Sequence, residues 1–86
     1  MISKILKISA AWCGPCRQLK KELEGWDGDV PILEFDADEN EKLCNDFNIR
    51  SIPTIIILDE NDNEIGRKVG MITKSELQNY INTLNG

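Results

Sequence analysis

The segment Trp12-Cys13-Gly14-Pro15-Cys16 decides how this chain folds and what it can do. It follows an apolar, β-branched run over residues 2–8 and precedes a charged, leucine-containing segment over residues 17–24. This context places the two cysteines where a strand ends and a helix begins. Amide groups at a helix N-terminus favour negative charge, so a cysteine there ionises readily, and the thiolate is the form that attacks disulfides. A second cysteine one turn later is placed to release the product of that attack.

Size and composition predict a single small domain over residues 1–86. Hydrophobic residues make up 41% of the chain and charged residues 29%, which is ordinary for a soluble globular protein. The formal net charge of -5 argues against a nucleic-acid partner, because phosphate binding requires an excess of Lys and Arg. Residues 1–21 hold five bases and no acid, whereas residues 22–64 hold fourteen acids and two bases. The cysteine pair therefore lies in the basic part of an acidic chain.

The cysteine content favours a cytoplasmic protein with a catalytic dithiol. Three cysteines and no histidine do not fit a disulfide-rich secreted domain, which usually has an even set. Lys4 and Lys7 interrupt the N-terminal apolar run, so it does not resemble a signal peptide, and no run approaches the roughly 20 apolar residues of a membrane span. A metal site is not expected, since a zinc site would need Cys44 and a carboxylate. Cys44 is interpreted as a small buried residue, with redox regulation as the alternative.

Hydrophobic periodicity predicts seven elements of secondary structure. Strands are expected over residues 2–10, 30–37, 53–58 and 64–69, and helices over residues 17–24 and 38–47. A last helix is expected after Thr73, with an apolar stripe that reaches Leu84. Asp38 is assigned as the N-cap of the second helix, and Thr73 with Glu76 as a capping box of the third. The order β-α-β-α-β-β-α predicts an α/β fold with a four-stranded mixed sheet and helices on both faces.

The first strand is expected to direct apolar side chains to both faces of the sheet. Strict alternation would place one set of residues on one face and Ile5 on the other. The set on the first face comprises Ile2, Leu6, Ile8 and Ala10.

Three separated motifs resemble those of the thioredoxin family. Residues 10–16 (Ala-Ala-Trp-Cys-Gly-Pro-Cys) resemble the active-site motif, residues 49–54 (Ile-Arg-Ser-Ile-Pro-Thr) resemble the segment with the family's cis-proline, and Val69-Gly70 resembles the glycine loop beside the active site. A bare pair of cysteines two residues apart is weak evidence, but three motifs in the family's order over nearly the whole chain are specific. The resemblance implies a minimal thioredoxin fold and a thiol-disulfide oxidoreductase.

The resemblance also implies a role for each residue of the first motif. Cys13 would be the attacking and more exposed thiol, and Cys16 the buried, resolving thiol. Gly14 and Pro15 would set the start of the helix and help to keep the pair reducing. Trp12 would cover the site, with simple packing as the alternative.

The other two motifs would bind the substrate. The bond between Ile52 and Pro53 would be cis, and its backbone would pair with an incoming substrate strand. Gly70 would leave a flat surface on which a protein can dock. The alternatives are a trans proline at the start of an edge strand and a plain turn glycine.

The chain departs from the family in length and in one pair of charges. The match begins almost at the strand that leads into the active site, as in small, glutaredoxin-like thioredoxins. Family members commonly carry a buried carboxylate six residues before the attacking cysteine and a lysine on the neighbouring strand, but here these positions hold Lys7 and Glu34. Because an isolated buried charge is costly, we interpret Lys7 and Glu34 as a charge-swapped pair beneath the cysteines. Either Glu34 would handle the proton of Cys16, or the Lys7 ammonium would stabilise the Cys16 thiolate. The alternative is that both side chains lie in water.

The resemblance implies an enzyme that reduces protein disulfides through Cys13 and Cys16 and is re-reduced by a thioredoxin reductase. It would need no bound cofactor and act as a monomer. Two alternatives stay open: a glutaredoxin-like enzyme reduced by glutathione, and a thioredoxin-fold binding module without turnover.

Overall fold

The computed structural model describes residues 1–85 and contains four strands, three α-helices and one 3₁₀ turn. The strands are β1 (Ile2–Ser9), β2 (Ile32–Asp36), β3 (Thr54–Asp59) and β4 (Glu64–Val69). The helices are α1 (Gly14–Glu22), α2 (Glu41–Asp46) and α3 (Lys74–Asn85), and the 3₁₀ turn spans Ala37–Glu39. Among the described residues, no helix is long and apolar enough to cross a membrane.

The strands form one mixed sheet in the order β2-β1-β3-β4. β1 and β2 are parallel and are connected through α1, whereas β1 with β3 and β3 with β4 are antiparallel. β2 and β4 are thus the two edges of the sheet, and β1 and β3 its centre. The predicted α/β fold with a four-stranded mixed sheet is confirmed.

Hydrophobic clusters cover both faces of the sheet. On one face α1 and α3 pack against the central strands through a cluster that includes Leu19, Leu77 and Ile81. On the other face the shorter α2 packs Leu43 and Phe47 against a smaller cluster. Because β3 is covered on both sides, its residues from Thr54 to Leu58 are almost completely buried, which explains why its sequence is apolar without alternation.

The predicted face of Ile2 is wrong. Ile2 packs in the same cluster as Ile5, beneath α1 and α3, whereas Leu6 and Ile8 belong to the opposite cluster. The pairing of β1 with β3 is irregular between Ile2 and Lys4. An irregularity of this kind interrupts the alternation of side chains, so residues before it change faces.

The predicted bounds of the first two helices also need correction. α1 begins at Gly14 rather than residue 17, because Cys13 is its N-cap, and Pro15 lies in its first turn as expected. The segment over residues 38–47 is not one helix. The Oδ1 atom of Asp36, not the side chain of Asp38, caps this segment by accepting the Asp38 N–H at 2.8 Å, and Asn40 leaves helical geometry with a φ of -132°.

The capping box of α3 is confirmed. The backbone N–H of Thr73 donates to the Glu76 carboxylate at 3.0 Å, and the Glu76 N–H donates to the Thr73 hydroxyl at 3.1 Å. The bond from the Thr73 N–H stabilises the ionised carboxylate and holds the pKa of Glu76 below its ordinary value of 4.5. Both hydrogen bonds join residues that lie within four positions of each other, so the local sequence is sufficient to predict the capping box.

We expect the variant Glu76→Gln to lose less stability in acid than the parent protein. Because the pKa of Glu76 is lower in the folded than in the unfolded chain, its carboxylate stabilises the fold above pH 4.5, and this contribution is lost as the pH falls through the folded value. Denaturant unfolding at several acidic pH values measures the difference. Asp27→Asn is the control, since the Asp27 carboxylate has no bonding partner among residues 1–85. Equal acid sensitivity of Glu76→Gln and parent would contradict the expectation.

Candidate active site

The two cysteines lie where β1 leads into α1 and are joined by a disulfide. Cys13 is the N-cap of α1, and its Sγ accepts the backbone N–H of Cys16 at 3.2 Å. The sulfur therefore takes the place that a Ser or Asp side chain oxygen commonly takes at a helix start. The Cys16 N–H points toward this sulfur at the N-terminus of the helix, where the helix dipole favours negative charge.

Both cysteines are buried to the same extent in the disulfide form. Cys13 is 5% exposed and Cys16 4%, so the expected greater exposure of Cys13 is not present in this state. The reason is packing: both residues form a small cluster with Ala10, against which Ile52 packs. The Sγ of Cys13 lies 4.0 Å from the carbonyl oxygen of Ile52. The disulfide thus meets the loop before β3 directly.

The loop before β3 contains a cis peptide bond between Ile52 and Pro53. The carbonyl oxygen of Pro53 accepts the backbone N–H of Gly70 at 2.9 Å, which holds the loop after β4 beside it. Gly70 has a φ of +92°, a conformation that residues with a side chain rarely adopt, and the space around its Cα is open. Gly70 is therefore required by backbone geometry and also leaves the surface beside Pro53 uncovered.

Trp12 projects from the site and is held by a residue of the 3₁₀ turn. Its side chain is 65% exposed, and its indole N–H donates to the Oδ2 of Asp38 at 2.8 Å. The sequence predicts Asp38 as a helix cap, so this contact corrects its role. The two residues are 26 positions apart in sequence, and no local pattern joins them.

Two exposed apolar side chains flank Gly70 in the chain. They are Val69, which is 58% exposed, and Met71, which is 50% exposed.

An open groove of about 650 Å³ runs beside Trp12, and we call it the Trp12 groove. Ala37, Cys44, Ile49 and Ile52 give it an apolar lining. The remaining lining residues are polar or charged and comprise Glu41, Asn45, Arg50 and Ser51. The groove reaches Ile52 and hence the neighbourhood of the Cys13 sulfur.

Lys7 and Glu34 are in contact beneath the cysteines. They are direct partners in the parallel pairing of β1 with β2, and the Lys7 Nζ lies 3.2 Å from the Glu34 Oε2. The Lys7 side chain is only 6% exposed and the Glu34 side chain 48%. The Ser9 hydroxyl approaches the other carboxylate oxygen of Glu34 at 3.4 Å. The alternative in which both side chains lie in water does not hold for Lys7.

Glu34 and Cys16 border the same space. A pocket of about 200 Å³ is lined by Ser9, Cys16 and Glu34 together with Arg17 and Lys20. Water in such a pocket can connect a carboxylate with a thiol. Within residues 1–85, no group of three or more potential ligands is placed to hold a metal ion.

A redox-active pair of cysteines at a helix N-terminus, beside a cis-proline loop on a mixed sheet, defines a thiol-disulfide oxidoreductase. A model of the thioredoxin family matches residues 2–83. The thioredoxin of Chlamydia pneumoniae is 41% identical over 81 residues, which span 91% of this chain and 78% of that protein. The thioredoxin of Haemophilus influenzae is 33% identical over 82 residues, which span 91% and 76%. The chain belongs to the thioredoxin family.

Solved structures agree with this assignment. A mutant thioredoxin from Halobacterium salinarum superposes with a TM-score of 0.84 at 25% identity, over 95% of this chain and 74% of that one. Thioredoxin-2, described as a component of malaria parasite protein secretion machinery, superposes with a TM-score of 0.82 at 28% identity, over 95% and 84%. The fold is therefore that of thioredoxins.

We expect Glu34→Gln to destabilise the protein by about 2 kcal/mol, because it leaves the buried Lys7 ammonium without its counter-charge. The cost should lie below the roughly 3–5 kcal/mol of a fully buried pair, since Glu34 is half exposed. The double variant Lys7→Met/Glu34→Gln should recover most of the loss, because no buried charge remains. Denaturant unfolding measures both.

Glu24→Gln is the matched control for this experiment. It removes one exposed carboxylate near the end of α1 that has no bonding partner among the described residues, so its stability should stay close to that of the parent. A Glu34→Gln variant as stable as Glu24→Gln would contradict the argument that the pair is held by electrostatics.

Proposed function

We propose that the chain reduces protein disulfides with Cys13 as the nucleophile and Cys16 as the resolving thiol. The observation that carries the proposal is the contact of the Cys13 Sγ with the Cys16 N–H at the start of α1. This position favours a thiolate at Cys13, because the Cys16 N–H and the N-terminal end of the helix dipole are directed at the sulfur. Gly14 and Pro15 form the turn that brings both sulfurs within bonding distance.

The proposed reaction proceeds in two exchanges. The Cys13 thiolate attacks one sulfur of the substrate disulfide, which forms a mixed disulfide and releases the first substrate thiol. Cys16 then loses its proton and attacks the Cys13 sulfur, which releases the second substrate thiol and leaves the disulfide between Cys13 and Cys16. Two electrons pass to the substrate, and each released thiolate takes a proton. The dithiol carries both electrons, so the reaction needs no bound cofactor.

We assign substrate binding to Trp12, Ile52, Pro53 and Gly70. The Ile52 carbonyl oxygen of the facing loop lies 4.0 Å from the Cys13 sulfur, so the backbone of Ile52 and Pro53 can pair with the segment that contains the substrate cysteine. The exposed ring of Trp12 and the open surface at Gly70 flank that position. A large apolar area near a reactive sulfur suits a protein substrate better than a small thiol.

We assign the regeneration of the dithiol to a thioredoxin reductase that draws on NADPH. We further propose that residues 1–86 form a single domain that acts as a monomer in the cytoplasm. A reducing compartment suits the chain because Cys44 is a third cysteine and is present as a free thiol. Neither a nucleic acid nor a membrane has a part in the proposed reaction.

Cys13→Ser should reduce insulin disulfides no faster than the uncatalysed reaction, because the attacking thiolate is lost. Cys16→Ser should still attack but stop at the mixed disulfide, which mass spectrometry detects as a covalent adduct. The parent protein should turn over with thioredoxin reductase and NADPH. Turnover with glutathione alone would favour the glutaredoxin-like alternative, and no turnover with either reductant would favour a binding module.

We further propose that Glu34 accepts the proton of Cys16, with Lys7 as the residue that positions it. The carboxylate and the thiol border one pocket, so a water molecule in it can carry the proton to Glu34. The Cys16 thiolate then attacks the mixed disulfide, and Glu34 returns the proton to solvent through its exposed side. Lys7 fixes one carboxylate oxygen, and the Ser9 hydroxyl approaches the other.

We expect Glu34→Gln to slow insulin reduction about tenfold. The loss should be smaller than the roughly 10²–10⁴-fold that a general base in direct contact contributes, because water can still accept the proton of Cys16. The mixed disulfide should accumulate, and the pH profile of turnover should change. Glu34→Asp, which keeps the carboxylate, should restore much of the rate. The double variant Lys7→Met/Glu34→Gln separates proton transfer from stability: it should regain stability but stay slow. Parental turnover in that double variant would leave the pair with a structural role only.

A further inference from the structure

The Trp12 groove provides an apolar surface that leads to the reactive sulfur. Its volume of about 650 Å³ lies within the range of binding sites, and Ala37, Cys44 and Ile49 give it an apolar lining. Ile52 closes the end next to Cys13. An extended segment that places a cysteine at Cys13 can therefore rest its neighbouring residues in the groove.

The wall of the groove built from the 3₁₀ turn and α2 is negatively charged. Glu41 lines the groove, Asp38 and Glu39 are exposed on the 3₁₀ turn that contributes Ala37 to it, and Lys42 is held in a salt bridge within α2. Among the described residues that line the groove, Arg50 is the only cation, and it comes from the loop on the other side. Acids therefore outnumber bases on this side of the disulfide.

The opposite side of the disulfide is positively charged. Arg17 and Lys20 line the pocket next to Cys16, and Lys21 follows in the last turn of α1. Within residues 1–85, none of these three cations forms a salt bridge. The disulfide thus lies between an anionic wall and a cationic helix.

We infer that the Trp12 groove selects disulfide-containing segments with Lys or Arg beside the target cysteine, on the side that faces the 3₁₀ turn and α2. The inference rests on the proposed reduction of protein disulfides and concerns its substrate class. Complementary charges attract such a segment and orient it, while Arg17 and Lys20 repel the same residues from the other side. The apolar part of the segment packs on Ile49 and Cys44.

Cysteine peptides of three kinds test this inference. Each is oxidised to a symmetric disulfide, and its cysteine has lysine, serine or glutamate on one side and serine on the other. The lysine and glutamate peptides are made in both orders, with the charged residue before or after the cysteine. The kcat/KM for thiol release is measured at low ionic strength with the parent protein and two double variants. Glu39→Gln/Glu41→Gln removes two charges at the groove. Asp27→Asn/Asp29→Asn removes two charges from the loop after α1, so both variants have the same net charge.

In the parent, one order of the lysine peptide should have the highest kcat/KM, and the glutamate peptide of the same order the lowest. In that order, the kcat/KM of the lysine peptide relative to that of the serine peptide should fall about threefold in Glu39→Gln/Glu41→Gln, as expected for two exposed charge pairs, and stay parental in Asp27→Asn/Asp29→Asn. Equal falls in both variants would assign the preference to net charge and overturn the inference. Equal rates for all peptides would overturn it while leaving the proposed function intact. A parent that reduces none of them would overturn both.

Discussion

The antiparallel pairing of β1 with β3 is the constraint on which the rest of the site depends. The register places Ile8 opposite Thr54, so the chain that leaves β1 toward Cys13 meets the chain that enters β3 through Pro53. Both strands are covered by helices, and β3 is almost completely buried, so this register is fixed by the core. The cysteines and the cis-proline loop are therefore brought together by the pairing of the two strands that lead to them.

Features encoded over a few residues could be predicted from the sequence. The strand and helix order, the position of the cysteines at a helix start and the capping box of α3 all depend on neighbours within one or two turns. The contact of Trp12 with Asp38 could not be predicted, since it joins residues from two separate elements. The predicted face of Ile2 is wrong for a related reason, because the irregularity of β1 is set by its pairing with β3.

The contact between Lys7 and Glu34 could be predicted from charge, although hydrophobic periodicity does not indicate it. Periodicity offers no reason for a lysine in the middle of a buried strand, but the cost of an unpaired charge requires a partner, and the parallel register supplies Glu34. The pair is asymmetric: the ammonium is enclosed and the carboxylate reaches solvent. Charged groups near the disulfide therefore include this partly buried pair, the cations of α1 and the acids of the 3₁₀ turn and α2.

The exposed carboxylate of Glu34 has a further consequence, because β2 is an edge of the sheet. An edge strand presents unpaired backbone groups to which a second chain can add, and this is a common origin of aggregation. β2 is short, follows Pro31, and ends in Glu34, Phe35 and Asp36, so a neighbouring copy would bring like charges together on pairing. The same side chain that neutralises a buried lysine thereby helps to keep the sheet closed to self-association.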